Sequence, residues 1–98
     1  MAKLHENYET IMILNTKGTE EETKALVEKF TNLISANGTI ETVEEWGKRK
    51  LAYEIEDESE GYYVYVTFNC TPDFPAELDR VYKITDGVLR TLIVKREN

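Results

Sequence analysis

The sequence predicts an α+β fold of the ferredoxin-like, split βαβ class, in which one four-stranded antiparallel sheet carries two helices on one face. Two observations lead to this prediction. Six segments of regular hydrophobic periodicity follow in the order strand, helix, strand, strand, helix, strand, with no linker, repeat or low-complexity tract between them. The chain has 98 residues, enough for one core but not for two. We therefore expect a single domain over residues 1–98.

The first strand and the first helix are predicted in the opening third of the chain. Tyr8 to Asn15 is rich in apolar and β-branched residues, typical of a central strand buried on both faces or nearly so. Thr19 followed by Glu22 has the form of a capping box and predicts a helix start. Apolar residues then recur at helical spacing, and Asn37-Gly38 predicts a left-handed stop.

Two strands joined by a turn are predicted next. One strand runs from Thr39 to Ile55 and is interrupted near Gly47. Asp57 to Gly61 is the predicted turn. Tyr62 to Cys70 alternates aromatic and β-branched residues between two faces, which makes it the clearest strand of the chain.

A second helix and a last strand complete the pattern. Two prolines flank Asp73 and place a helix start there, and Asp86-Gly87 ends the helix. Val88 to Lys95 is the last strand. Right-handed crossovers then fix the topology and leave one sheet face for solvent, ligand, RNA or another protein. The fold alone does not choose among these.

Composition excludes several classes of function. The net charge of −7 and pI of about 4.7 argue against a general nucleic-acid coat and against membrane binding. Cys70 is the single cysteine, so no intramolecular disulfide or cysteine cluster can form, and a reducing cytoplasm fits best. His5 has no second histidine or cysteine beside it, and we expect no metal and no cofactor. With no apolar leader and no span of about 18 apolar residues, we expect a soluble intracellular protein.

One short basic block stands out in this acidic chain. Lys48, Arg49 and Lys50 are consecutive and follow Trp46-Gly47, whereas five of the seven residues from Glu54 to Glu60 are acidic. Cations so concentrated favour a local contact with an anion over diffuse attraction. Alternatively, the basic block forms a solvated strand edge, whose charges discourage pairing with another sheet.

These segments resemble the family of the sixth protein of the bacterial small ribosomal subunit. The matching blocks, in chain order, are Asn7–Thr10, Ile13–Asn15, Glu20–Glu22, Glu44–Tyr53, Glu60–Val64 and Val88–Arg90. The block from Trp46 to Tyr53 is the most specific. The resemblance implies a split βαβ fold and a non-catalytic role in ribosome assembly. It also implies that the protein pairs with the eighteenth small-subunit protein and that the pair binds the central domain of 16S ribosomal RNA.

The candidate site residues are cations and aromatic side chains, and none is catalytic. Cations release condensed counterions at a phosphate backbone, and arginine also binds phosphate through two parallel hydrogen bonds. The candidate RNA-binding residues are Lys3, Lys48, Arg49, Lys50, Arg90, Lys95 and Arg96. Trp46 and Tyr53 are the candidate partner-protein contacts, since aromatic residues are enriched at interface hot spots.

Three other classes share this topology. An RNA-recognition module with stacking aromatics fits poorly, because Glu60 replaces a cation and Val64 replaces a stacking ring in its third-strand motif. An acylphosphatase-type enzyme needs a glycine-rich anion loop with an arginine, and the segment from Asn15 to Thr19 has one glycine and no arginine. A small-molecule-sensing or oligomerising module remains the alternative, because its ligand site needs no motif.

Overall fold

The computed structural model describes residues 5–55 and 58–96, and over these it has the predicted element order. The elements are β1 (Glu6–Leu14), α1 (Glu20–Asn37), β2 (Gly38–Ile55), β3 (Glu58–Cys70), α2 (Phe74–Ile84) and β4 (Val88–Lys95). The strands form one sheet in the order β2-β3-β1-β4, and all three pairings are antiparallel. The predicted split βαβ fold is confirmed.

The core lies between one face of the sheet and the two helices. On β1 every second side chain from Tyr8 to Leu14 is buried, while the residues between them are only half-buried. The prediction that β1 is buried on both faces was therefore wrong, because the helices cover one face only. The helical contribution to the core consists of Val27, Phe30 and Ile34 from α1 and Phe74, Leu78 and Tyr82 from α2. The ring centroids of Phe30 and Tyr82 are 4.6 Å apart and join the two helices.

The helix starts follow the predicted chemistry, but one helix end does not. The Thr19 hydroxyl accepts a hydrogen bond from the backbone N–H of Glu22 at 3.2 Å, as a cap requires, and α2 begins directly after Asp73. Gly38 is extended (φ −173°), so the predicted left-handed stop was wrong. A Cβ added at Gly38 would lie 2.9 Å from the Cβ of Cys70 and nearer still to the backbone oxygen of Asn69. Glycine is needed there for the close approach of β2 to β3.

The pairing of β2 with β3 contains three irregularities of register, and the first lies between Ile40 and Thr42. The second lies between Glu45 and Gly47, where Gly47 has a φ of 81°, and it confirms the predicted interruption. The third lies between Lys50 and Ile55, so that residues 51–54 of β2 lie opposite a single residue of β3. The predicted turn over residues 57–61 was too long, because β3 already begins at Glu58 and pairs with β2 from there; residues 56 and 57 lie outside the described chain.

Candidate functional site

The sheet face opposite the helices, which we call the open face, carries most of the exposed large apolar side chains. Strand alternation and the pairing register place there Ile11 and Ile13 of β1, Trp46, Arg49, Leu51 and Tyr53 of β2, Tyr63 and Tyr65 of β3, and Arg90, Leu92 and Val94 of β4. Tyr53 is 60% exposed and Leu92 is 56% exposed. The open face therefore offers apolar surface and arginine side chains together.

A stack of rings and one guanidinium occupies the β2 side of the open face. The Trp46 ring lies nearly parallel to the rings of Tyr65 and Tyr63, at centroid distances of 5.5 and 6.5 Å. The Arg49 guanidinium lies 5.4 Å from the centroid of the Trp46 ring. The bulge at Gly47 makes this possible, because the extra residue of β2 is Trp46 itself, which can lie over β3. Trp46 is 37% exposed, so other residues of the chain cover more than half of its surface.

A second arginine is held against a ring at the opposite side of the open face. The Arg90 guanidinium donates a hydrogen bond to the Tyr53 hydroxyl and lies 5.9 Å from the centroid of the Tyr53 ring. Tyr53 and Arg90 belong to the two edge strands, so residues 51–54 bend across the sheet to bring them together. Leu51 is buried in this segment, and a Cβ added at Gly61 would lie 3.3 Å from its Cδ2. The absence of a side chain at Gly61 thus makes room for Leu51.

Arg90 lines a shallow groove on the open face. Its volume is about 310 Å³, and it is lined by Ile11, Ile13, Tyr63, Arg90, Thr91 and Leu92. Among the residues that the structure describes, no carboxylate is within salt-bridge distance of Arg49 or Arg90. Arg90 donates one hydrogen bond to Tyr53, and the remaining guanidinium donors of both arginines can bind an anion supplied by another molecule.

The carboxylates of the open face are bound to aromatic side chains instead. The Tyr65 hydroxyl donates to Glu9 at 2.6 Å, and the Trp46 indole N–H donates to Glu44 at 3.3 Å. The hydrogen bond to Glu9, followed by burial, raises the pKa of Tyr65, and Arg96 acts against this rise. The backbone N–H of Arg96 donates to the carbonyl of Asn7 at 2.8 Å, which places Arg96 beside β1.

The predicted lysines are separated from these arginines. Lys48 is paired with Tyr62 and Lys50 with Glu60, one residue to either side of Arg49, so both alternate toward the helix side of β2. Lys48 lines a cavity of about 470 Å³ there. Lys95 forms a salt bridge with Glu6 at 3.0 Å. Lys3 lies outside the described residues.

The sequence did not predict the aromatic contacts and the hydrogen bond that hold the candidate residues in place. Tyr63 and Tyr65 are not among the predicted site residues, although the alternation of β3 places them on the face opposite Val64 and Val66. The hydrogen bond from Tyr65 to Glu9 joins residues 56 positions apart and has no local signal. No cluster of three or more possible metal ligands occurs within the described ranges. Neither described helix is long and apolar enough to cross a membrane.

A split βαβ sheet with ring-supported arginines on its open face defines a protein whose exposed sheet surface is suited to binding another molecule. Residues 7–95 match the family described as ribosomal protein S6. The chain is 54% identical over 93 residues to small ribosomal subunit protein bS6 of Caldanaerobacter subterraneus subsp. tengcongensis. The alignment covers 94% of this chain and 98% of the relative. The chain is 57% identical over 91 residues to the protein of that name from Clostridium kluyveri, covering 92% and 96%. The crystal structure of 30S ribosomal protein S6 from Thermotoga maritima matches with a TM-score of 0.90 and 34% identity, covering 95% of this chain and 89% of that one.

The chain belongs to the ribosomal protein S6 family. The resemblance seen in the sequence is confirmed, and with it a structural, ribosome-associated protein of the small subunit, since the matched relatives are ribosomal proteins and not enzymes.

Proposed function

We propose that this protein binds the central domain of 16S ribosomal RNA as a heterodimer with the eighteenth small-subunit protein, and that the pair aids assembly of the subunit. The observation that carries the proposal is the pair Arg49 and Arg90, which the fold holds on the open face of a chain with a net charge of −7. Neither guanidinium has a carboxylate partner among residues 5–55 and 58–96, and a guanidinium can bind a phosphate oxygen pair through two hydrogen bonds.

The electrostatics of the whole chain support a heterodimer. A few cations in an acidic protein give weak attraction to RNA, so a partner with more positive surface would raise the affinity of the pair. Trp46 and Tyr53 are the proposed contacts with that partner, and both are exposed in this structure. The proposed RNA contacts are Lys3, Lys48, Arg49, Lys50, Arg90, Lys95 and Arg96.

A titration tests this function. The protein is added to a central-domain 16S rRNA fragment with and without the eighteenth small-subunit protein, at several salt concentrations. We expect tight binding only with the partner, weakening as salt rises. Replacing Lys48, Arg49 and Lys50 by alanine should weaken binding of the pair by about tenfold or more, since hydrogen bonds to charged groups contribute about 1.5–3 kcal/mol each.

A second triple variant serves as the matched control. Lys29→Ala, Arg80→Ala and Lys83→Ala remove the same charge from the two helices, where Arg80 forms a salt bridge with Glu77 at 2.5 Å and Lys83 with Asp79 at 2.9 Å. This variant should bind almost as the unmodified protein does. Equal losses in both triple variants would point to net charge rather than to a site. Absence of binding in every case would point to the small-molecule-sensing or oligomerising alternative.

A further inference from the structure

Each proposed partner contact touches one of the proposed RNA contacts. Trp46 lies beneath Arg49, and Tyr53 accepts a hydrogen bond from Arg90 while facing its guanidinium. We propose that these two ring–guanidinium pairs couple the two binding events: the partner packs on the Trp46 and Tyr53 rings and thereby fixes Arg49 and Arg90 for phosphate. The proposal rests on the proposed function and adds the residues through which cooperativity arises.

The physical basis is the freedom of an exposed arginine. A long side chain loses rotamer freedom when it binds a phosphate, and this loss opposes binding. A ring that is already fixed against its guanidinium reduces the loss, and the attraction between the two strengthens when water is excluded from the pair. A partner that covers Trp46 and Tyr53 supplies both effects. RNA on the arginines must stabilise the partner complex by the same factor.

The geometry favours coupling through both pairs at once. Trp46 and Arg49 are both in β2, whereas Tyr53 and Arg90 join the two edge strands across the open face. The two pairs therefore flank one surface, which a single partner can cover. Other cations of the chain are held differently: Lys95 by Glu6 and Arg80 by Glu77 at 2.5 Å. A partner on the open face would leave the Arg80 pair on α2 unchanged.

The test measures the coupling factor, defined as the RNA dissociation constant without the partner divided by that with saturating partner. Couplings between binding sites are typically about 5–150-fold, and we expect the unmodified protein to fall in this range. Trp46→Ala and Arg49→Ala should each reduce the factor about threefold or more, and the double variant should match either single variant. The same cycle applies to Tyr53→Ala and Arg90→Ala. Thermal unfolding identifies any variant that fails to fold.

Conservative variants separate positioning from simple contact. Trp46→Phe keeps a flat ring and should retain most of the coupling, and Arg80→Ala, away from the open face, should leave it unchanged. Additive effects in the double variants, or a coupling factor that stays constant while Trp46→Ala weakens partner binding without RNA, would overturn the proposal and leave the rings as plain partner anchors. RNA affinity of the unmodified protein that does not depend on the partner would instead overturn the proposed function, and the coupling with it.

Discussion

Thr10 shows how one buried hydroxyl is accommodated in the core. Its side chain is fully buried on the helix-facing side of β1. The Thr10 Oγ1 donates to the carbonyl of Leu92 at 3.0 Å and lies 3.0 Å from the Tyr82 hydroxyl oxygen. Because the Thr10 proton goes to Leu92, the Tyr82 hydroxyl must be the donor to Thr10. Burial raises the pKa of Tyr82, which keeps that proton in place.

This arrangement predicts unequal costs for its two partners. Thr10→Val leaves the buried Tyr82 hydroxyl without an acceptor and should lower the free energy of unfolding by about 1–3 kcal/mol. Tyr82→Phe removes the donor itself and should cost about 1 kcal/mol. Urea unfolding of both variants gives the two values. In the Tyr82→Phe background Thr10→Val should cost less than it does alone; an unchanged cost would show that no hydrogen bond joins the two side chains.

Tyr65 leads to a prediction about how the stability of the fold depends on pH. Its hydrogen bond to Glu9 raises its pKa, and burial raises the pKa values of Tyr8 and Tyr62. An unfolded tyrosine titrates near pH 10, so above this pH the unfolded state loses protons first. The stabilisation from these phenols is therefore complete below about pH 10 and is lost as pH rises through their folded-state values. Denaturant unfolding measured across this range should show the fall.

Two variants test whether the loss of stability above pH 10 comes from the contact between Tyr65 and Glu9. Tyr65→Phe removes one of these phenols, so its stability should fall less steeply above pH 10 than that of the unmodified protein. Glu9→Gln removes the charge that the phenolate would face but keeps an acceptor, and it should also reduce the slope. A slope identical in all three proteins would mean that the Tyr65–Glu9 contact makes no difference to the titration.

At the scale of elements, the β2 bulge between Glu45 and Gly47 depends on the conformation of one residue. Gly47 has a φ of 81°, and a Cβ added there meets nothing within 4 Å. Gly47→Ala should therefore cost only backbone strain, about 1–2 kcal/mol, and Gly47→Asn should cost less, because asparagine tolerates this region better. Unfolding followed by the fluorescence of Trp46, the single tryptophan, measures both.

Gly38→Ala is the contrasting variant at the other end of β2. Its backbone is extended, so the cost comes from the clash of the new methyl group with β3, and asparagine would offer no relief. We expect Gly38→Ala to destabilise more than Gly47→Ala. If Gly47→Asn were as costly as Gly47→Ala, strain at a left-handed residue would not be the reason for glycine in the bulge.

The two glycines also show which parts of the elements the sequence could predict. Hydrophobic periodicity identified all four strands and both helices, because burial against one face imposes a period on each element. The interruption at Gly47 was predicted because a glycine within a strand is typical of a bulge. The conformation of Gly38 was not, because it depends on the approach of β3, more than thirty residues later in the chain. Nor was the length of the hairpin turn, since pairing extends into an acidic segment.

At the scale of the whole molecule, the candidate site was predicted as residues but not as an arrangement. Lys48, Arg49 and Lys50 are adjacent in the sequence, yet strand alternation places only Arg49 on the open face. Arg90 and Tyr53 are 37 positions apart and meet only because residues 51–54 bend across the sheet. Which cations share a surface is therefore decided by the sheet order and by the bulges, which local patterns do not encode.

This arrangement predicts a difference in the salt dependence of RNA binding by the heterodimer. Arg49→Ala and Arg90→Ala should each reduce the slope of log K against log salt by about 1, since each removes one proposed phosphate contact. Arg80→Ala removes the same charge from α2, where the guanidinium is bound to Glu77, and should leave the slope unchanged. Binding isotherms at four or more salt concentrations give the slopes. Because the chain as a whole is acidic, a slope that fell equally in all three variants would mean that RNA responds to net charge, and the open face would then have no special part in binding.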